Sequence, residues 1–492
     1  MSNPLLVIDV GTTGVRAACV SEAAQITESA YREILPSTPA EGIVEQDATA
    51  LVAAVESVAE EALASRGPAA ALGITVQRAT TVVWDASSGE PVGPAIGWQD
   101  LRTLGDCMML AAQGFAVAPN MSATKAAFLK KQALEAGTDP EALRFGTLDT
   151  WLTWKLSGAT SFVTDPTNAC VTGLTNLDGI SWNAEICEAL ELPVTMLPEI
   201  VPSAAVVGEA RIAGQDIALA SRAGDQQASL VGQGGLAPGV VKTTYGTAAM
   251  TDVNVGSEAP NAKIGAAGTY PVVAVQTNDQ TLYGREATVI TAGEAIRAQT
   301  EFGVAESPEE LAELAATVDS AGGVQFVPAS LGLGTPHWDY GARSAFLGMS
   351  LATGRAEIAR AVLEGVASSV TECVTSLEAD SGLTVTELRA DGGAAASDVL
   401  LQAQADQLGI PVARSREREA TVLGTGMLAG LATGAFDAAT LSEQRNVDRV
   451  FEPVWDDTRR EQHRADWARA IEAVREWVPA LSTLDFFGTA DA

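Results

Sequence analysis

Two stretches of the chain share one pattern of apolar and polar positions. The first, residues 5–20, is a branched apolar run that carries Asp9, then a Gly-Thr-Thr-Gly turn at 11–14, then a second apolar run. The second, residues 240–253, turns at Gly246-Thr247. Apolar runs joined by a short turn with glycine are typical of β-hairpins. Because the second hairpin lies near the middle of the chain, the pattern predicts two halves of similar build that face each other.

Strand-like and helix-like segments alternate over the rest of the chain, which predicts an α/β architecture. A Thr/Asn-rich stretch at 163–183 has no clear period and is expected to cap a cleft. The predicted helices are 48–65, 122–135, one that begins at 146–151, 292–302, 355–379, one that ends at about 408 and a final helix at 421–434. The predicted strands are 70–76, 217–220, near 271–283 and 385–390.

The glycine-rich run at 232–239 marks the predicted boundary between the halves. The predicted domains are residues 1–235 and 236–480, followed by a tail at 481–492, and the chain after Pro479 is expected to be frayed. At 492 residues, the chain is long enough for two cores of this size.

The net charge argues against two classes of partner. The chain carries 62 acidic and 30 basic residues, for a formal charge of −32. Such a surface repels phosphate backbones and anionic lipid, so neither nucleic acid nor a membrane is an expected partner. The five cysteines are widely spaced, and no secretion signal or spanning segment is evident, so we expect a cytoplasmic protein with reduced thiols.

Two glycine strings, 232–237 and 424–429, fit the GxGxxA pattern of dinucleotide-binding sites. The first precedes a strand and the second lies inside a predicted helix, so neither has the required strand–loop–helix setting. Helix packing explains these glycines better than a dehydrogenase does. The chain also lacks the GxxxxGK[ST] motif of P-loop proteins.

Carboxylates are the candidate catalytic groups, because the chain has only two histidines, His337 and His463. A buried carboxylate such as Asp9 needs a partner or a cation, and it suits a hydrated Mg²⁺ beside turn N–H groups that suit phosphate. Asp225, in the Gly-Asp-Gln-Gln stretch at 224–227, is a second candidate carboxylate. The simpler alternatives to a functional role are an ordinary hairpin around Asp9 and a helix N-cap at Asp225.

Taken in order, further motifs resemble those of the FGGY carbohydrate kinases, most closely the glycerol kinases among them. The similarity runs over nearly the whole chain. The matching segments are 9–13, 77–85, 98–100, 145–151, 224–227, 244–247, 327–338, 344–364 and 391–393.

The resemblance implies an actin/hexokinase-like ATPase, a two-domain α/β fold of duplicated ribonuclease H-like build with a central interdomain cleft. It implies ATP and Mg²⁺, with the acceptor and Mg²⁺ on the first domain and the nucleotide on the second. By the same resemblance Asp225 is the general base, and Asp9 and Asp225 hold the metal. The implied acceptor-binding residues are Arg78, Ala79, Trp98, Asn120, Asp225, Gln226 and Met250. The implied nucleotide-binding residues are Thr12, Thr13, Arg16, Gly246, Thr247, Gly293, Arg297, Gly393 and Ser397.

Three positions depart from the glycerol kinase pattern on the acceptor side. Glycerol kinases have Glu, Tyr and an aromatic residue where this chain has Ala79, Asn120 and Met250. Losing a carboxylate and a phenol removes two hydroxyl partners, each worth ~1 kcal/mol, and enlarges the pocket. The nucleotide side changes less, at Arg297 and Ser397.

The sequence therefore predicts an ATP-dependent kinase of glycerol or a related polyol. A ketopentose kinase such as a xylulokinase is the alternative within the family. A non-catalytic, actin-like ATP sensor is the alternative outside it. The resemblance also suggests a homodimer or homotetramer.

Overall fold

Two mixed β-sheets, one in each half of the chain, organise the molecule. The computed structural model describes residues 3–417, 419–443 and 446–486, without the side chains of residues 442 and 443. In the first half the strands are β1 Leu5–Val10, β2 Gly14–Val20, β3 Ile26–Glu33, β4 Glu45–Gln46, β5 Ala71–Val76, β6 Thr81–Asp85, β7 Glu90–Pro91, β8 Ala95–Ile96, β9 Leu143–Thr147, β10 Val163–Thr164, β11 Glu199–Ile200, β12 Glu209–Ile212 and β13 Gln215–Gly224. The helices there are α1 Ala48–Leu63, α2 Leu104–Ala111, α3 Ala123–Glu135, α4 Leu148–Leu156, α5 Pro166–Ala169, α6 Ala184–Ala189 and α7 Asp225–Gly232, with 3₁₀ turns at Pro140–Ala142 and Val194–Met196.

The second half is richer in long helices. Its strands are β14 Val241–Tyr245, β15 Ala249–Gly256, β16 Tyr270–Gln276, β17 Thr281–Val289, β18 Gln325–Val327, β19 Ala345–Leu347, β20 Leu388–Asp391, β21 Val412–Ser415 and β22 Val447–Phe451. Its helices are α8 Gly293–Glu301, α9 Pro308–Ala315, α10 Arg355–Ser381, α11 Asp398–Leu408, α12 Ala420–Thr433, α13 Ala438–Glu443, α14 Asp457–Val474 and α15 Pro479–Ser482, with a 3₁₀ turn at Gly393–Ala396.

Both main sheets follow one plan, so the prediction of two similar halves is confirmed. The strand order is β12-β13-β5-β1-β2-β3 in the first sheet and β16-β17-β15-β14-β20-β21-β22 in the second. In each, an antiparallel hairpin (β1–β2, β14–β15) extends to a third antiparallel strand (β3, β17). The first strand of each hairpin is flanked on its other side by two parallel strands (β5 and β13, β20 and β21).

Helices cover both faces of the first sheet, which is why β1 is apolar almost throughout. Leu6 and Ile8 point to one face and pack with α1, and Leu5 and Val7 point to the other and pack with α12. Helix α12 therefore completes the core beneath β1, although it follows most of the second half in sequence.

Helices α7 and α12 touch backbone to backbone because glycines lie at their contact. A Cβ added at Gly232 would overlap the carbonyl of Ala420, and one added at Gly424 would overlap the carbonyl of Ala228. These glycines belong to the two GxGxxA strings, so the prediction that those strings serve helix packing is confirmed.

The three tryptophans Trp84, Trp151 and Trp154 form a buried aromatic cluster, with ring centroids 5.4–5.9 Å apart. The five cysteines are free and four of them are buried. Within the described ranges, no helix has both the length and the apolar character needed to cross a membrane.

The prediction that 421–434 is the final helix is wrong, because α14 follows it. Only Trp467, Ala470, Ile471 and Val474 of its 18 residues are buried, so its apolar stripe is too narrow to stand out among charged neighbours. The prediction that the chain frays after Pro479 is also wrong as far as residue 486, and residues 487–492 lie outside the described residues. Phe486 is buried against Tyr340, which is a tertiary contact that a local pattern does not show.

Candidate active site

Asp225 begins helix α7, directly after the C-terminal end of strand β13. Its Oδ1 accepts a hydrogen bond from the backbone N–H of Gln226 over 2.8 Å. Gly224, rather than Asp225, occupies the N-cap position, so the alternative that Asp225 serves as the helix N-cap is wrong. A carboxylate in the first turn is nevertheless stabilised by the helix dipole.

Burial raises the pKa of Asp225, and the nearby cations Arg78 and Lys242 oppose this shift without cancelling it. A carboxylate in a site of low polarity holds a proton more readily than one in water. This is the property that a general base needs.

Asp9 lies next to the tip of the first hairpin, paired across the strands with Arg16. Burial raises its pKa to about 7, and the charges of Asp225 and Glu419 add to the shift. Asp9, Asp225 and Glu419 therefore lie close enough for their charges to repel one another, and Arg16 offsets part of this negative charge. Oxygen ligands with excess negative charge suit Mg²⁺, which keeps several of its own waters. In the described part of the chain, no set of three or more His, Cys, Asp or Glu side chains forms a metal-binding group.

Arg78 joins the two halves of the molecule. Its Nη1 and Nη2 lie 2.7 and 2.9 Å from the two carboxylate oxygens of Glu286 on β17. Its Nε edge lies 3.6 Å from Oδ1 of Asp225. Gly224 makes room for this arrangement, since a Cβ there would lie 2.7 Å from Cγ and Cδ of Arg78. The guanidinium thus lies between two carboxylates: it donates a hydrogen bond to Oε1 of Glu286 and forms an ion pair with Oε2.

Lys242 makes a second contact between the halves, from inside the second sheet. Its Nζ lies 2.8 Å from Asp252 on the neighbouring strand and donates to Oε1 of Gln226 over 2.7 Å. Burial raises the pKa of Asp252, which is paired in register with Glu286. Gln226, a predicted acceptor-binding residue, is thereby held by a buried lysine.

The Thr/Asn-rich stretch 163–183 packs beside this network. The hydroxyl of Thr167 in α5 accepts a hydrogen bond from the N–H of Gly224 over 2.7 Å. Sγ of Cys170 accepts one from the N–H of Val273 on β16, over 3.4 Å. The stretch therefore contacts both halves next to Asp225.

Two loops meet on the acceptor side of Arg78. The carbonyl of Ala79 accepts a hydrogen bond from Oγ of Ser122 over 3.1 Å, which ties the Arg78 loop to the loop carrying Asn120. Ala79 is buried and adopts a left-handed backbone (φ 59°), while Asn120 is exposed. Met250, on β15, is paired in register with Thr288 of β17, two residues from Glu286.

Trp98 is held from two directions. Its indole N–H points to Oγ1 of Thr12 over 3.3 Å. The buried Nζ of Lys125 donates to the carbonyls of Gly97 and Trp98, over 2.8 and 3.2 Å. Lys125 therefore fixes the backbone on which Trp98 stands.

The two hairpin tips carry the remaining residues of the predicted phosphate clamp. The side chain of Thr13 is exposed, and Arg16 forms an ion pair with Glu419 over 2.9 Å. Backbone N–H groups at the start of α8 donate to the carbonyls of Gly246 and Thr247. A Cβ at Gly293 would overlap the carbonyl of Gly246, so glycine lets α8 approach the second hairpin.

The predicted adenosine-binding residues are less closely grouped. A Cβ at Gly393 would meet nothing within 4 Å, so the backbone there is open to a flat ligand. Ser397 caps helix α11, its Oγ accepting from the N–H of Leu400. Arg297 pairs with Glu294 and Glu301 of its own helix, and the structure does not bring its guanidinium to the other site residues. These assignments stay predictions.

The sequence reasoning did not find Lys242, Glu286 and Tyr270. Tyr270 on β16 donates from its hydroxyl to Glu286, and its oxygen lies 3.2 Å from Oγ1 of Thr288. Lys242 and Glu286 are both fully buried charged residues inside strands. A lone charge within an apolar strand is the signal that could have singled them out, since such a group needs a partner.

The FGGY family of carbohydrate kinases matches the chain twice, its N-terminal domain over residues 5–232 and its C-terminal domain over residues 241–433. The glycerol kinase of Trichlorobacter lovleyi is 40% identical, over 96% of this chain and 99% of the relative. The glycerol kinase of Gloeobacter violaceus is 39% identical, over 97% of this chain and 98% of the relative.

Solved structures agree with this assignment. The crystal structure of Plasmodium falciparum glycerol kinase with ADP has a TM-score of 0.87 and 27% identity, over 96% of this chain and 98% of that chain. The ligand-bound xylulose kinase from Lactobacillus acidophilus, at 20% identity over 96% of this chain and 98% of that chain, shares the fold with a TM-score of 0.84. The predicted two-domain fold is confirmed. The chain belongs to the FGGY family of carbohydrate kinases and is an ATP-dependent phosphotransferase with an alcohol acceptor that uses Mg²⁺.

Proposed function

We propose that this kinase transfers the γ-phosphoryl group of ATP to a hydroxyl of glycerol or a related polyol, with Asp225 as the general base. The observation that carries the proposal is the position of Asp225. Asp225 directly follows the C-terminal end of β13. Burial raises its pKa, and the charge of Glu286 adds to this shift. Nε of Arg78 lies 3.6 Å from Oδ1 of Asp225. The relatives named above, which are glycerol kinases at about 40% identity, support the choice of acceptor.

In the proposed reaction, Asp225 accepts the proton of the attacking hydroxyl as its oxygen bonds to the γ-phosphorus. The bond from that phosphorus to the bridging oxygen of the β-phosphate breaks, and ADP leaves with the electron pair. Arg78 and Gln226 hold the acceptor's other hydroxyls, and Trp98 packs against its carbon edge. Positioning and neutralised charge, rather than covalent chemistry by the protein, carry most of such a reaction.

The hairpin residues hold the nucleotide in this proposal. Thr12, Thr13 and Arg16 on the first hairpin, and Gly246 and Thr247 on the second, bind the β- and γ-phosphates through backbone N–H groups, hydroxyls and one guanidinium.

The outer residues of the second half complete the nucleotide site. Gly293, Arg297, Gly393 and Ser397 line the adenosine side. Asp9 and Asp225 hold Mg²⁺, which neutralises charge on the phosphates when bound.

Substituting Asp225 tests this role directly. We expect acceptor-dependent ADP release from the wild type, and a loss of at least ~10³-fold in Asp225→Asn with ATP binding retained. The matched control is Asp216→Asn, which removes an exposed carboxylate of strand β13 that pairs with Arg211 of β12. Full turnover in Asp225→Asn would disprove the assignment. ATP binding with no acceptor-dependent turnover in the wild type would instead indicate a sensor.

The identity of the acceptor rests on Ala79, Asn120 and Met250, which supply no carboxylate or phenol. A longer polyol or a ketopentose fills the space that a Glu at 79 and a Tyr at 120 would occupy. Rates across glycerol, tetritols, pentitols and ketopentoses decide the matter. We expect at least one longer acceptor to reach a kcat/KM within ~10-fold of glycerol. A preference for glycerol of several orders of magnitude would contradict the enlarged pocket.

We propose that the protein is cytoplasmic and assembles as a homodimer or a homotetramer. Burial raises the pKa of Cys107, Cys187 and Cys373, which suits unreactive thiols in a reducing cytoplasm. Sedimentation of the purified protein would decide between a homodimer and a homotetramer.

A further inference from the structure

The Arg78–Glu286 pair stands next to the proposed base without including it. Asp225 belongs to the same half of the chain as Arg78, whereas Glu286 belongs to the other half. Yet Arg78 gives both Nη atoms to Glu286, over 2.7 and 2.9 Å, and keeps its Nε 3.6 Å from Asp225. A hydrogen bond requires a shorter distance, so Arg78 approaches Asp225 without bonding to it.

Glu286 is itself held rigidly. It is fully buried on β17 and accepts a hydrogen bond from the hydroxyl of Tyr270. It lies directly opposite Asp252 of the neighbouring strand β15. Arg78 and these neighbours keep the pKa of Glu286 below its usual range, so the carboxylate is ionised. The guanidinium therefore has one fixed partner of full charge, contributed by the other half of the chain.

In the first half of the chain, the described residues around Arg78 supply no second carboxylate that could hold its Nη atoms. The next residue is Ala79, and Gln227 contributes only a weak neutral contact to Nη1, over 3.4 Å. Without Glu286, the nearest carboxylate to the guanidinium is Asp225. An arginine that binds a carboxylate in bidentate fashion occupies both of its oxygens. A base bound in that way is blocked from the acceptor hydroxyl.

We propose that Glu286, anchored by Tyr270, is a positioning residue that holds Arg78 by its two Nη atoms and so keeps Asp225 free to meet the acceptor. The inference rests on the proposed function, in which Asp225 is the base and Arg78 binds the acceptor. Glu286 is fully buried, and the proposal gives it no contact with either substrate. Its role is to decide which edge of the guanidinium faces Asp225.

Glu286→Gln is the first test, because it keeps the shape of the side chain and removes its charge. We expect kcat to fall by ~30- to 100-fold, the scale of a misplaced catalytic group, and the KM for the acceptor to rise, with the KM for ATP within twofold of wild type. The control is Glu364→Gln, which breaks a partly buried Arg–Glu pair of the second half, with Arg360. A structural effect alone would lower the melting temperature in both variants and leave the ratio of the two KM values unchanged.

A double-mutant cycle with Arg78→Met tests whether Glu286 acts through Arg78. We expect Glu286→Gln to cost less than threefold further in the Arg78→Met background, since residues that act through one another are not additive. Tyr270→Phe, which removes one hydroxyl and keeps the packing, should cause a smaller loss of the same kind, ~3- to 10-fold in kcat. This milder variant carries the test if Glu286→Gln does not fold.

The outcomes separate this inference from the proposed function. If wild type turns over and Asp225→Asn does not, but Glu286→Gln or Tyr270→Phe keeps kcat within threefold, Glu286 is not a positioning residue. Independent, multiplicative losses in the cycle would overturn it as well. If wild type shows no acceptor-dependent ADP release, the proposed function itself fails.

Discussion

Trp98 of the proposed acceptor pocket donates its indole N–H to Oγ1 of Thr12 in the proposed phosphate clamp, over 3.3 Å. The two residues come from different loops of the first half, and Lys125 fixes the carbonyls beside Trp98 from below. Trp98 therefore links the proposed acceptor site to the proposed phosphate site, and we expect a change in one site to affect the other.

Trp98→Phe should reveal this connection. The variant keeps an aromatic surface for the acceptor but loses the hydrogen bond to Thr12, which is worth ~1 kcal/mol, or about a fivefold change in affinity. We expect the KM values for the acceptor and for ATP both to rise by about that factor. The control is Trp477→Phe, since the side chain of Trp477 is exposed. A rise in the acceptor KM alone would show that the contact with Thr12 has no functional weight.

Glu419 forms an ion pair with Arg16, a residue that we propose binds phosphate. Their ion pair, over 2.9 Å, involves a cation that the proposal assigns to ATP, and both groups are partly exposed. Such pairs are worth about 0–1 kcal/mol, so removing the competing charge should lower the KM for ATP by roughly threefold. Initial-rate kinetics of Glu419→Gln would measure this, with the exposed Glu452→Gln as the control for lost charge. An increase in the KM for ATP would show instead that Glu419 assists nucleotide binding.

Asp9→Asn should change the response to Mg²⁺. Asp9 lies where Asp225 and Glu419 add negative charge, and burial raises its pKa to about 7. Replacing a carboxylate ligand by an amide weakens a hard cation site, so we expect the Mg²⁺ concentration for half-maximal rate to rise by ~10-fold. Asp279→Asn, at an exposed turn, serves as the control. An unchanged Mg²⁺ titration would remove Asp9 from the metal site.

His463 should make the fold sensitive to acid. Burial lowers its pKa to about 4, and its Nε2 lies 2.9 Å from Oγ of Ser368. The unfolded chain takes up the proton near pH 6.5, whereas the folded protein does so only near pH 4. Between these values the unfolded state binds more protons, so the stabilising contribution is complete above pH 6.5 and is lost as the pH falls to 4.

The corresponding measurement compares thermal unfolding of wild type and His463→Gln from pH 7 to pH 4.5. We expect the variant to lose less stability on acidification than wild type, by on the order of 2 kcal/mol. Parallel curves for the two proteins would show that His463 is not a source of the acid sensitivity.

Local patterns predicted much of this protein. The two hairpins, the strand before Asp225 and the packing role of the glycines in α7 and α12 follow from residue types within short windows. Weak local patterns did not predict the rest. Helix α14 buries only four of its residues, and Phe486 is a single apolar residue near the end of the described chain.

The amino-acid sequence by itself determined the duplicated α/β build, the family and the carboxylate expected to act as base, because these depend on periodicity and on short motifs. Only the tertiary structure decided which charges meet. Arg78 and Glu286 are 208 residues apart, and Lys242 of the second sheet donates to Gln226 on helix α7. These pairs depend on the register of two sheets and on how the halves pack, and burial makes each pairing obligatory because a charge removed from water must find its partner.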